Sequence, residues 1–400
     1  MLTRMIILLF CVSVFAIPNV TDRTEVTYPS SETLRSGIKV MKFRAFGRDI
    51  ELRLQPAGDI VSDDYVVTDS NGNIRVTDVK SLKSKLYKDE EKGAVLYIDD
   101  DESLEINGII NSKLRIEPYK SEKMVKNGIN AHLITESLAK KKPVNDAEFT
   151  INMQKSLVEV VRNFDESQCV HIKYLCVMDN TFTSQFESYY EIQSFLASMF
   201  VKVQNIMDTL NLKIKVTIIG SKMLIHDTQY IRQSLIPGLE TYNVAHIIQN
   251  FTKFYCHQEK DNLVKEANII MFFTKRALGE PQPDGTIFDA IVGVANLGGA
   301  CNPCEKCGVI HAEKKNMLGA ADTVAHETAH LIGSPHDGEG PERSVDGSPA
   351  ALNCSGKLGY IMGNDYGKNE KKFSSCSRAN IVYFLGLSRA NCIIKSCSNQ

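Results

Sequence analysis

Apolar residues follow two different patterns in the two halves of this 400-residue chain. Before about residue 167 they come in short alternating runs, such as IELRLQPAG (50–58) and GAVLYIDD (93–100), separated by turn residues. Alternation with period two predicts half-buried strands, so the first half reads as β-rich. Beyond it the runs lengthen and change period. VHIKYLCVMD (170–179), KIKVTIIG (213–220) and ANIIMFF (267–273) read as buried strands, while QFESYYEIQSFLASMFVKVQNIMDTLN (185–211) and ETYNVAHIIQNFTKFY (240–255) repeat apolar residues at helical spacing. Strand, helix, strand, helix, strand predicts an α/β fold, with a mostly parallel twisted sheet and flanking helices. IVGVANL (291–297), GGACN and GVIHA follow, and then a helix that ends in HETAHLIGSPHD (326–337).

Hydrophobic residues at 43%, charged residues at 24% and a formal charge of −2 describe an ordinary globular protein with no sign of a nucleic-acid partner. The length suggests two domains. MLTRMIILLFCVSVFAIP opens the chain with Arg4, an unbroken apolar run, and Val14 and Ala16 at the −3 and −1 positions of a cleavage. That is the pattern of a secretory signal peptide over residues 1–16. No later apolar run is long enough to span a bilayer, so a secreted, extracellular protein without a membrane anchor is expected. Asn19, Asn250 and Asn353 each open an N-x-S/T sequon and are the glycosylation candidates. Cys11 leaves with the signal, and the other ten cysteines all follow residue 168, which allows up to five disulfides. In a cytosolic protein the run CNPCEKC (301–307) would suggest a structural zinc site; secretion favours disulfides. KKKPVNDAEF (140–149) is polar, contains a proline and suits a linker open to processing.

Three of the chain's nine histidines, His326, His330 and His336, fall within the stretch 326–336. His326 and His330 are four apart, which stacks both imidazoles on one helix face, where they can share one metal ion. His336 lies beyond Gly333 and Pro335, where the backbone must turn before it can return a third imidazole. Three protein ligands with the fourth position open is the arrangement of a catalytic Zn²⁺. Glu327 follows a ligand in sequence and faces another side of the helix, so it is placed as a general base and not as a ligand. The reaction implied is peptide-bond hydrolysis. The short HExxH pattern arises by chance about once per hundred chains of this length, and the extra glycine and histidine at fixed offsets make the extended form far more specific.

The extended motif HExxHxxGxxH, followed by LGYIMG (358–363) with Met362, resembles the metzincin endopeptidases. Asp337 after the third histidine, IVGVANLGGACNP upstream and FSSCS downstream resemble the adamalysin or reprolysin branch. Thr328 and Ala329 replace that branch's commoner Leu-Gly, and HETAHLIGSPHDG looks most like tick salivary reprolysin-like metalloproteases. The resemblance implies a metzincin-type catalytic domain at 168–400. It also implies a β-rich propeptide domain at 17–167, where INGIINSKLRIEPY (106–119) and NGINAHLI (127–134) resemble propeptide sequence. Met362 would form the floor under the zinc, Asp337 would support the third ligand, and Val292, Gly293, Val294 and Ala295 would form the edge strand that pairs with substrate. Cys354 would pair with Cys376, and Cys301 with Cys392 or Cys397.

Extracellular substrates such as fibrinogen or matrix proteins, and an anti-haemostatic effect, follow by the same resemblance. A monomer that ends at Gln400, without partner-binding modules, is expected. Structural Ca²⁺ is doubtful, because Lys173 stands where relatives carry a glutamate. No cysteine lies between residues 12 and 168, so a thiolate cannot silence the zymogen. Cover of the cleft by residues 110–135 is the expectation in its place, with His132 as the one candidate zinc ligand by donor type and an ordinary solvent-exposed histidine as the favoured reading of that residue. The competing reading is a non-catalytic secreted binding protein on a protease scaffold; intact Glu327 and histidines argue against it.

Overall fold

This computed structural model describes residues 22–69, 71–119, 124–126, 128–137, 146, 162–258, 260–341, 343–365 and 367–397. The signal peptide and Asn19 lie outside them. In the first half both alternating runs become strands, Arg48–Pro56 and Ala94–Asp99, within a nine-stranded antiparallel sheet. Their inward residues Leu52, Leu54, Leu96 and Ile98 pack in one cluster with Met41, Ile106 and Ile134.

The second sheet carries the site. Its main strands are β1 (Val61–Asp69), β2 (Cys169–Met178), β3 (Ile214–Met223), β4 (Ile269–Thr274), β5 (Gly293–Ala295) and β6 (Cys307–His311), ordered β5-β6-β4-β2-β3-β1. All neighbours run parallel except β5, which pairs antiparallel with β6 and forms an edge. Helix α1 (Tyr189–Met207) crosses from β2 to β3, and α2 (Val244–Cys256) crosses from β3 to β4. Ser188 caps α1 by accepting from Glu191 N, while the Glu191 carboxylate reaches back to Glu187 N. Alternate β2 residues face opposite sides of the sheet. Tyr174 and Cys176 pack in one core with Leu196 and Phe200 of α1, and Leu175 and Val177 in another with Ile248 and Phe251 of α2.

One element departs from the division at residue 167. β1 comes from the first half of the chain, yet it pairs parallel with β3, and Val61, Tyr65 and Val67 share the α1-side core. The first half therefore extends the sheet of the second.

Four disulfides form: Cys169–Cys397, Cys256–Cys304, Cys301–Cys392 and Cys354–Cys376. The last is the expected pair, and the third selects one of the two partners left open for Cys301. CNPCEKC is thus split between two disulfides and one thiol. The fifth disulfide does not form, because Cys176 and Cys307 remain free and buried. Pleating explains this: Cys176 is in register with Met271 of β4, and Cys307 with Ile270, so the two thiols point to opposite faces. Alkylation after denaturation without reduction should label Cys176 and Cys307 and no other cysteine beyond residue 168. A peptide map joining these two would contradict the fold.

Asn353 is exposed, whereas Asn250 is half-buried on α2 and donates to Ser234 Oγ at 3.0 Å.

Candidate metal centre

Helix α3 (Met317–Leu331) starts at Asn316, whose side-chain oxygen accepts from Gly319 N, and it is buried almost throughout from Ala320. Thr328, one of the two departures from the commoner motif, accepts from Tyr174 OH at 2.8 Å and donates to Val324 O at 2.6 Å, which ties the helix to β2. The helix ends in a Schellman closure: Gly333 N donates to His330 O and Ser334 N to Ala329 O. Gly333 has φ +94°, and a Cβ there would lie 2.7 Å from Phe384 Cβ, so both conformation and space require glycine. This turn reverses the chain and brings His336 back beside the helix.

The three imidazoles converge through Nε2. His326 Nε2 lies 3.1 Å from that of His330 and 3.3 Å from that of His336. Each Nδ1 faces an oxygen acceptor: Ile361 O for His326 at 2.7 Å, Ser334 O for His330 at 2.8 Å and Glu339 Oε1 for His336 at 3.0 Å. Donation from Nδ1 leaves a lone pair on each Nε2, directed at its neighbours. Lone pairs at that separation repel unless a cation sits among them. Three imidazoles are a donor set that fits Zn²⁺.

The turn around Met362 supports this arrangement through its backbone. Ile361 O takes the His326 proton, and Met362 O accepts from Asp337 N at 2.9 Å, while the Met362 side chain is buried in the main core. Cys354–Cys376 brackets the turn. Asp337 Oδ1 accepts from Ser374 Oγ at 2.5 Å, which joins the third-histidine segment to the start of helix α4 (Ser375–Leu385).

Glu327 is fully buried, and neither carboxylate oxygen has a hydrogen-bond partner among the described residues. Its roof is Gly293 of β5, where a Cβ would sit 2.1 Å from Glu327 Oε1. Only a glycine at this edge-strand position leaves room for the acid. Burial, and after it the nearby Asp146 charge, hold the Glu327 carboxyl well above the usual carboxylate range, against the pull of His336.

Asp146 is the residue that sequence reasoning missed. Its Oδ2 lies 3.1 Å from His326 Nε2 and 2.8 Å from His330 Nε2, and its Oδ1 lies 2.9 Å from His336 Nε2. It comes from KKKPVNDAEF, the stretch expected to be a linker. Among the described residues of the first half, the metal-type cluster includes only Asp146, so the expectation of His132 as a zinc ligand is corrected here. His132 is neither a ligand nor exposed. It is buried in the first sheet, with Nδ1 bonded to Asn130 O at 3.0 Å and Nε2 accepting from Ile106 N at 2.9 Å. Glu339 was also missed, although three residues after His336 is a readable spacing; its other oxygen accepts from His336 N at 3.0 Å. Lys173 Nζ bonds Glu266 at 2.6 Å.

An α/β sheet with a three-histidine centre and a carboxylate beside it defines a metallopeptidase. Residues 170–374 match Metallo-peptidase family M12, of the type Reprolysin_5, and the chain belongs to that family. It is 40% identical over 392 residues to an antarease-like venom metalloproteinase of Tityus trivittatus, covering 97% of each chain. A venom metalloproteinase of Olivierus martensii is 37% identical over 404 residues, covering 100% of this chain and 99% of the relative. The solved structure of metalloproteinase-II from Bacteroides fragilis aligns over 85% of this chain and 89% of that one, with 10% identity and a TM-score of 0.42. Relatives in scorpion venom replace the expected likeness to tick salivary enzymes. The chain is a zinc metalloendopeptidase. None of its helices among the described residues is long and apolar enough to cross a membrane.

Proposed function

We propose that this protein is made as a zymogen, is directed out of the cell by residues 1–16, loses residues 17 to about 167, and then cleaves extracellular proteins such as fibrinogen or matrix components. His326, His330 and His336 hold one zinc ion through Nε2. The observation that carries this reading is the convergence of three Nε2 atoms whose Nδ1 partners are all oxygen acceptors. When bound, zinc polarises a scissile carbonyl and acidifies water.

The chain's own residues do the rest. Glu327, buried and without a donor among the described residues, takes the proton of the attacking water and passes it to the leaving amine. Gly293, Val294 and Ala295 offer the outer edge of β5 to an extended substrate backbone, while Val292, expected with them, lies just before the strand and its carbonyl accepts from His311 N. Met362 forms an apolar floor, and Asp337 with Gly333 keeps the third histidine returned to the helix. Loss of the first half uncovers the β3 edge that β1 now occupies.

The test is to incubate the secreted, processed protein with fibrinogen and gelatin. Fragments should appear, vanish with a zinc chelator and return when zinc is restored. A zinc-loaded, processed monomer that cleaves neither protein would favour the binding-protein alternative.

A further inference from the structure

We infer that Asp146 is an inhibitory fourth metal ligand, built into the chain itself, that keeps the uncut protein silent. The inference rests on the reading that the three histidines hold zinc. Both Asp146 oxygens face the Nε2 atoms, within 2.8–3.1 Å, and its side chain is only 5% exposed. Three imidazoles and one carboxylate make four ligands, the closed set of a structural zinc site and not the open set of a catalytic one. Glu327 then has no water to deprotonate.

The same residue blocks a second requirement. Asp146 forms a parallel β-bridge with Gly293, on the edge of β5 where substrate would pair. Asp146 therefore takes the metal position and occupies the substrate edge together. Asp146 precedes β2 in the chain, so a cut between residues 147 and 168 would free it from the protease half. Until then the carboxylate is tethered, and its effective concentration at the metal exceeds that of any free competitor. A carboxylate is a harder donor than a thiolate and suits a ligand that has to leave.

The experiment uses the full chain in a Glu327→Gln background, so that self-cleavage cannot remove the segment. The protein is loaded with Co²⁺, and its visible absorption is followed while a peptide hydroxamate is added, for the parent, Asp146→Ala and Asp146→Asn. Circular dichroism checks that each variant is folded, and the asparagine keeps the side chain's shape. Both variants should bind the hydroxamate on the order of 10²-fold more tightly than the parent. Equal titrations in all three proteins would overturn the inference and leave the metal centre standing. Failure of the parent to hold stoichiometric cobalt would instead overturn the metal-centre reading itself.

Discussion

Glu327→Gln in the processed enzyme is expected to keep one zinc per chain while the peptidase rate falls by about 10²- to 10⁴-fold. The amide is nearly the same size as the acid, and the side chain is enclosed beneath Gly293, so the histidines should not move. What changes is basicity, since a neutral amide cannot accept a proton from water. Among the described residues neither oxygen of Glu327 is engaged by a protein donor, so the substitution breaks no hydrogen bond among them. Zinc content by metal analysis and kcat on a peptide substrate, measured on the same sample, decide the matter. A glutamine variant with full activity would end the assignment of Glu327 as the base.

His330→Ala should lose metal and activity together. Its Nε2 is one of the three converging donors, and its Nδ1 bonds Ser334 O inside the turn that returns His336. Outer partners of a ligand typically cost about 10- to 100-fold in metal affinity when removed, and loss of a ligand itself should exceed that. Excess zinc separates the two variants: it should restore part of the His330→Ala activity and none of the Glu327→Gln activity. Stoichiometric zinc in His330→Ala protein after dialysis would show that His330 is not a ligand.

These outcomes bear on a site that was legible in the sequence to an unusual degree. His326 and His330 are four apart because a helix repeats every 3.6 residues, and the glycine that reverses the chain before His336 is visible in the motif. Met362 could be located by its place in LGYIMG. The support it gives could not, since it comes from two backbone carbonyls, Ile361 O and Met362 O, and a carbonyl leaves no mark on residue type. Likewise the stretch 140–149 reads as polar linker because composition reports average solvation. It says nothing about one carboxylate placed by a single bridge to Gly293.

The sequence by itself determined the periodicities: strands where apolar residues alternate or run together, helices where they recur every three or four positions, and the imidazole spacing on α3. Those features are local, so the neighbours that produce them are adjacent in the chain. Tertiary structure alone decided which cysteines meet, because strand pleating sends Cys176 and Cys307 to opposite faces. It also decided that Val61–Asp69 joins the protease sheet, and that Asp146 reaches histidines 180 to 190 residues further along the chain. Contacts at such separation depend on how whole sheets stack and on which edge remains unpaired, and no window of residues carries that information.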